Sequence, residues 1–294
     1  MIALGFSASS FRRSIVLLSL GLGLGLPMPA IAVASQTDSI LQLVQQGEAA
    51  EADKDYSAAA EIWQQVIDRE PSNALAHANL GNALRELGQL DEAIAAYGQA
   101  LDLDQDLADA HNGLGVAFNR QGNLDEAIAA HQQAIALDPE LVSAYNNLGV
   151  ALAKQGRLTE GQAAFQEAIA IDPDYASAYS NLGIVLRQQG QLEAAIEIYQ
   201  QAIQISPDDA TIHNNLGVAF YNRNQFEAAI ASYEAAIALD PDYASAYNNL
   251  GNVRFFQNQF EAAAAAYEEA LRLQPNYTEA QRNLELVQQI LDVQ

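Results

Sequence analysis

The sequence predicts an all-α solenoid of stacked antiparallel helix pairs, and three observations predict it. Gly47, Gly81, Gly115, Gly149, Gly183, Gly217 and Gly251 follow one another at steps of 34 residues, and "SAYNNLG" at 143–149 returns at 245–251 with "SAYSNLG" between them. Self-similarity at such a period marks a repeat architecture. Each 34-residue unit carries two apolar stripes at helical spacing with turn signals between them, and one such pair cannot bury both stripes alone. Finally, half of the 294 residues are hydrophobic, with Ala, Leu and Gln abundant, a mixture that favours helix over sheet.

The elements follow in order. Residues 1–34 stand outside the repeat. Arg12 and Arg13 precede the uncharged run "SIVLLSLGLGLGL", followed by Pro27, Pro29 and small residues at Ala30, Ala32 and Ala34. A basic start, a short apolar run and an A-x-A site read as a secretory signal peptide cut after Ala32 or Ala34. The alternative is an uncleaved anchor over residues 14–34, although the run before Pro27 is shorter than the roughly 20 residues a spanning helix needs. The expectation is therefore export to a periplasm, or to a thylakoid lumen if the source is cyanobacterial, with membrane contact only if this segment is retained. Phe11 stands where a twin-arginine signal prefers Ser or Thr, which leaves general secretion as the main route. Residues 35–39 are read as a linker.

Seven repeats follow, over 40–73, 74–107, 108–141, 142–175, 176–209, 210–243 and 244–277. In the fourth, Tyr145, Leu148 and Leu152 make one stripe and Leu158, Phe165, Ile169 and Ile171 a second. Gly156 separates them, and Asp172-Pro173 ends the second. Residues 278–294 form a lone helix with Leu284, Val287 and Leu291 on one side. It serves as the cap that shields the last exposed stripe.

The unit resembles the tetratricopeptide repeat. The resemblance rests on Gly at position 8 of all seven units, and on Ala59, Ala93, Ala127, Ala195, Ala229 and Ala263 at position 20, with Gly161 departing. Position 24 holds Trp63, Tyr97, His131, Phe165, Tyr199, Tyr233 and Tyr267, and position 32 holds Pro in six units, with Gln105 departing. It implies a right-handed superhelix whose first helices line a groove for a protein segment, extended or helical. The Ala- and Gln-rich wording with "YNNLG" is most similar to bacterial members, cyanobacterial ones in particular, some of which assist assembly of photosynthetic complexes. Related repeats precede the catalytic domain of Ser/Thr glycosyltransferases, and here a single capping helix follows instead.

Chemistry-bearing constellations do not emerge. The chain has no cysteine, which removes thiolate catalysis and disulfides. His77, His111 and His213 fall at position 4 and His131 at position 24, packing positions taken by Tyr elsewhere. No P-loop, HExxH or nucleophile elbow occurs. The chain is expected to be no enzyme, with no cofactor, no metal and no small-molecule substrate. Its 37 acidic against 13 basic residues give a formal charge of -24, which repels phosphate and disfavours nucleic acid.

The expected partner is another protein, and the alternative role is structural self-association. The candidate site is a double ladder. Asparagine, a poor helix former, occupies position 6 at Asn79, Asn147, Asn181, Asn215 and Asn249, and position 5 at Asn112, Asn146, Asn214 and Asn248. An amide carries both donor and acceptor, so it can hold the backbone of a bound segment; the other use is to bond the neighbouring helix and fix stacking. The second ladder is basic: Arg85, Arg120, Lys154 and Arg187, continued by Arg223 and Arg254, fall at positions 11–14, where they meet acidic partner side chains or complement helix dipoles. Tyr221, Phe255 and Phe256 add aromatic surface to the last two repeats.

Overall fold

Each 34-residue phrase folds as two helices because a left-handed residue, Gly or Asn in all but the first (Lys54), breaks it in the middle and a turn with proline in six of the seven ends it. The computed structural model describes residues 30–293, with side chains from Ser39 onward, and among these residues the regular structure is entirely helical. The chain divides at Gln155–Gly156 into two units.

The N-terminal unit contains α1 (Ala30–Ala52), α2 (Tyr56–Arg69), α3 (Ala74–Glu86), α4 (Leu90–Leu103), α5 (Ala108–Gln121), α6 (Leu124–Leu137) and α7 (Val142–Lys154). Here α1 pairs with α2, α3 with α4 and α5 with α6, each hairpin stacks on the next, and α7 closes on α6. The C-terminal unit contains α8 (Leu158–Ile171), α9 (Ala176–Gln188), α10 (Leu192–Ile205), α11 (Ala210–Asn222), α12 (Phe226–Leu239), α13 (Ala244–Phe256), α14 (Phe260–Leu273) and α15 (Thr278–Leu291). In it α8 packs on α9, three hairpins follow, and α15 covers α14. From α3 on, every odd-numbered helix starts on the first residue of a 34-residue unit. The first helix differs: α1 starts at Ala30, directly after Pro29, so residues 35–39 lie within a helix rather than a linker. The proposed signal segment lies almost wholly outside the described residues.

The core is one aromatic ring per repeat. Trp63, Tyr97, His131, Phe165, Tyr199, Tyr233 and Tyr267 are among the largest fully enclosed side chains. Each ring for which the neighbour is described lies on the position-8 glycine of its own repeat. A Cβ on Gly47 would come 2.8 Å from the Trp63 ring, and one on Gly183 would come 2.5 Å from that of Tyr199, so no larger residue fits without displacing the ring. Alanines at positions 20 and 27, such as Ala93 and Ala100, are fully buried where the helices approach. The mid-repeat turn needs a left-handed residue, supplied by glycine at Gly88, Gly122, Gly156 and Gly190 and by asparagine at Asn224 and Asn258, the side chain that tolerates this region best after glycine. The inter-repeat turn is held by aspartate: the Asp138 and Asp172 carboxylates accept from the backbone N–H two residues on, at 3.0 Å each, forming Asx-turns.

First helices touch first helices. In the N-terminal unit α3 meets α5 and α5 meets α7; in the C-terminal unit α9, α11, α13 and α15 touch in succession. The residues at positions 5 and 6 sit in this row.

Candidate functional site

The asparagines of the row bond across repeats. In the N-terminal unit Asn147 Nδ2 donates to Asn112 Oδ1 at 3.2 Å, and Asn112 Nδ2 donates to Ser143 Oγ at 3.1 Å. In the C-terminal unit Asn249 Nδ2 donates to Asn214 Oδ1 at 3.0 Å, and Asn283 Nδ2 to Asn248 Oδ1 at 3.3 Å. In all three position-6 bonds, position 6 of one unit donates to position 5 of the repeat before, 35 residues earlier. Asn248 also donates to Glu279 Oε1 on the capping helix, at 3.3 Å. Asn79, Asn112, Asn146, Asn147, Asn181, Asn214, Asn215 and Asn248 are all buried, and Asn249 is half-buried. Of the two uses open to these amides, the geometry provides the one that joins neighbouring helices.

Three junctions lack the rung: 35 residues before Asn79, Gly113 and Asn215 stand Val44, Ala78 and Ser180. Position 5 of the fifth repeat is Ser180, and Asn215 Nδ2, which would reach toward it, is buried without a hydrogen-bond partner. An amide donor left so costs about 1–3 kcal/mol.

His131 enters the same network. It is fully enclosed, its Nδ1 lies 2.9 Å from Asn112 Oδ1, and its Nε2 is buried without a partner. Because the partner atom is an acceptor, Nδ1 carries the hydrogen and the ring is neutral. Burial pushes its pKa down to about 3. Two of the tyrosines at this position bond to asparagine at position 9: Tyr97 Oη donates to Asn82 Oδ1 at 2.7 Å and Tyr267 Oη to Asn252 Oδ1 at 2.8 Å. The other histidines are not core filler. His77, His111 and His213 are half-buried and reach back to the carbonyls of Pro71, Gln105 and Pro207 at 3.0, 3.1 and 2.9 Å.

The basic ladder is largely engaged by its own neighbours. Arg85 is 5 % exposed; its Nη1 donates to Tyr97 Oη at 3.0 Å and its Nε pairs with Glu86 at 3.0 Å. Arg120 donates to the Arg85 carbonyl at 2.8 Å and pairs with Glu86 at 3.1 Å. Lys154 Nζ donates to Asn119 Oδ1 at 2.7 Å. Arg187 is half-buried beside Tyr199, whose phenol is pushed up to about 12 by burial, against the pull of this guanidinium. Arg223 pairs with Glu193 at 2.8 Å and Arg254 with Glu234 at 3.4 Å.

A clasp that the sequence reading missed repeats on the same edge. Gln121 donates to Asp91, Gln155 to Asp125 and Gln257 to Glu227, at 2.6, 2.6 and 3.3 Å, always 30 residues back. The acids at the starts of second helices thus clamp the next repeat as well as complementing the dipole. The signal was present as a polar donor at position 14 matched with an acid at position 18.

Charge is segregated by helix. The first helices α3, α5, α7, α9, α11 and α13 hold two carboxylates between them, Glu86 and Asp109, in a chain with 37. On the last two repeats Tyr221, Phe255 and Phe256 are joined by Phe226 and Phe260. Ring centroids lie 5.6 Å apart for Tyr221–Phe256, 6.3 Å for Phe226–Phe256 and 5.7 Å for Phe255–Phe260. Among the described residues no cluster of His, Asp or Glu could hold a metal ion, and no helix is long and apolar enough to cross a membrane.

Comparison with known proteins gives the same fold. The chain is similar to a protein in the crystal structure of the APC/C hetero-tetramer Cut9–Hcn1, with a TM-score of 0.70 and 22 % identity over 84 % of this chain and 48 % of that one; it spans about half the length of that relative. A tetratricopeptide repeat protein from Parabacteroides merdae matches with a TM-score of 0.67 and 18 % identity over 85 % of this chain and 99 % of that one. YrrB, described as a TPR protein with an unusual peptide-binding site, matches at 0.50 and 21 % over 64 % of this chain and 97 % of that one. At these identities the likeness is one of fold. A search of curated protein sequences finds no match. Neither the structural neighbours nor the family match points to a catalytic family. Residues 30–286 match the family described as the cilia and flagella-associated protein 70 C-terminal domain, so this chain belongs to that family of tetratricopeptide repeats.

Proposed function

We propose that this chain is a non-enzymatic interaction scaffold that takes a segment of a partner protein, extended or helical, along the row of its first helices. It acts after export, in a periplasm or thylakoid lumen, in the assembly of an envelope or thylakoid complex. The observation that carries the reading is the segregation of charge. The first helices α3 to α13 of an acidic chain hold only two carboxylates, which leaves them almost free of negative charge and, in the last two repeats, partly aromatic. The peptide-binding site in the description of YrrB is a precedent for this fold. Most of the amides and cations of the two ladders hold neighbouring repeats, so affinity on this reading comes from the exposed residues at the C-terminal ends of the first helices.

The test is site-specific photo-cross-linking. A cross-linker placed at the exposed Gln188 or Asn222, on first helices, is expected to trap the partner in the cell of origin. The same group at the exposed Glu197 or Glu268, on second helices, is expected not to. Cross-links from the second helices alone would sink the proposal. A second reading, self-association, draws on the exposure of Leu286 and Val293 at the C-terminal end. Links between copies of the chain, with sedimentation that depends on concentration, would favour it.

A further inference from the structure

The C-terminal unit displays an aromatic patch in which Tyr221, Phe226 and Phe255 pack with one side on the core while Phe256 stands outside it. Phe256, in the last turn of α13, is 59 % exposed. It stacks against Phe226 with the ring planes 14° apart, and meets Tyr221 and Phe255 edge-on at centroid distances of 5.6 and 6.1 Å. The corresponding position of the other six repeats holds Ala52, Glu86, Arg120, Lys154, Gln188 and Asn222, so the solenoid folds without an aromatic there. The rim is polar and mostly uncharged, with exposed Asn222, Asn224, Gln225, Asn258 and Gln259. An apolar centre within a hydrogen-bonding rim is the anatomy of an interface hot spot.

The charge around the patch indicates what it takes. Its two cations are engaged, Arg223 with Glu193 and Arg254 with Glu234. Glu227 and Glu261, both exposed, directly follow Phe226 and Phe260; Glu227 accepts only from the neutral Gln257 amide, at 3.3 Å. The local balance is negative, within a chain of formal charge -24. That field favours approach of basic segments and opposes both acidic ones and a second copy of this chain. We propose that the aromatic patch of Tyr221, Phe226, Phe255 and Phe256 seats a bulky apolar side chain of a partner protein segment, with lysine or arginine flanking it to meet Glu227 and Glu261. This names the partner chemistry of the scaffold proposed above and rests on that reading.

A random dodecapeptide display library panned against the purified chain tests it. The recovered sequences are expected to share an aromatic residue or leucine with Lys or Arg within three positions. A synthetic peptide of that consensus should bind Phe256→Ser at least tenfold more weakly by fluorescence anisotropy. Because Phe256 is exposed, the variant should keep its thermal midpoint. Glu227→Gln with Glu261→Gln should weaken binding and flatten its dependence on salt. Enrichment of acid-flanked peptides, recovery of the same peptides by Phe256→Ser, or no enrichment at all overturns the assignment. If the library fails while cross-linkers at Gln188 or Asn222 still trap a partner, this chemistry is wrong and the scaffold reading stands. If both fail, both are wrong.

Discussion

His131 makes the N-terminal unit sensitive to acid, and the size of the effect follows from its surroundings. The ring is enclosed, donates through Nδ1 to Asn112 at 2.9 Å, and leaves Nε2 buried without a partner. Desolvation pushes its pKa from 6.5 down to about 3. The unfolded chain therefore binds a proton below pH 6.5 that the folded chain refuses until about pH 3. Stability from this source is complete above 6.5, falls by about 1.4 kcal/mol per unit below it, and levels off near 3. At pH 5.0 the loss is about 2 kcal/mol. His131→Phe removes the titration and keeps the ring, as Phe165 does at the same position of the next repeat. Asn112 Oδ1 still accepts from Asn147 at 3.2 Å in that variant. Urea unfolding of both proteins at pH 7.5 and 5.0 gives four free energies. The wild type is expected to lose about 2 kcal/mol more than the variant between the two pH values, or roughly 4–8 °C in thermal midpoint. The many carboxylates titrate in both proteins and cancel. A gap between the two that does not change with pH would refute the reasoning.

Three further outcomes are expected. Ser180→Asn supplies the acceptor that Asn215 lacks and should raise the unfolding free energy by about 1 kcal/mol; no gain in urea midpoint counts against the rung rule. Asn147→Ala and Asn249→Ala, one in each unit, should each lower stability by about 1 kcal/mol despite alanine's better helix propensity, and melting curves that stay put would return these amides to the partner. Gly183→Ala should cost about 1–3 kcal/mol because its Cβ would meet the Tyr199 ring at 2.5 Å. Gly98→Ala, mid-helix with nothing within 4 Å, should stabilise by up to about 1 kcal/mol, and the pair fails if both variants shift the same way.

The hairpins were legible in the sequence because two residues define them. Glycine at position 8 and a ring at position 24 make a contact inside one repeat, so the spacing carries the structure. The role of the asparagines was not legible in the same way. Asn147 and Asn112 meet because consecutive hairpins are offset by one position, and that offset belongs to the stacking rather than to any local pattern. The same holds for Gln121 and Asp91. Helical period placed His77, His111 and His213 on a stripe, but their bonds to carbonyls six residues back depend on the path of the turn. The start of α1 at Ala30 was hidden by small residues after Pro29 that also fit an export signal. The aromatic surface at Tyr221, Phe255 and Phe256 was visible as composition, whereas Phe226 and Phe260 join it only through the packing of the second helices against the first.

The 35-residue rung behaves as a grammar for joining repeats. A unit with asparagine at both position 5 and position 6 can follow any other such unit, since donor meets acceptor at every junction. Such a chain can lengthen or shorten by whole repeats without leaving a buried amide unanswered. Units that break the wording, with Ser180 at position 5 or Gly113 at position 6, are tied to their neighbours. A Cβ on Gly113 would lie 2.7 Å from the Tyr97 hydroxyl of the preceding repeat, so an ordinary repeat in its place would have to shift that ring. Internal duplication in this chain is therefore easiest in the last two repeats, where the phrase is intact, and hardest around Gly113 and Ser180, where each unit has been fitted to the one before it.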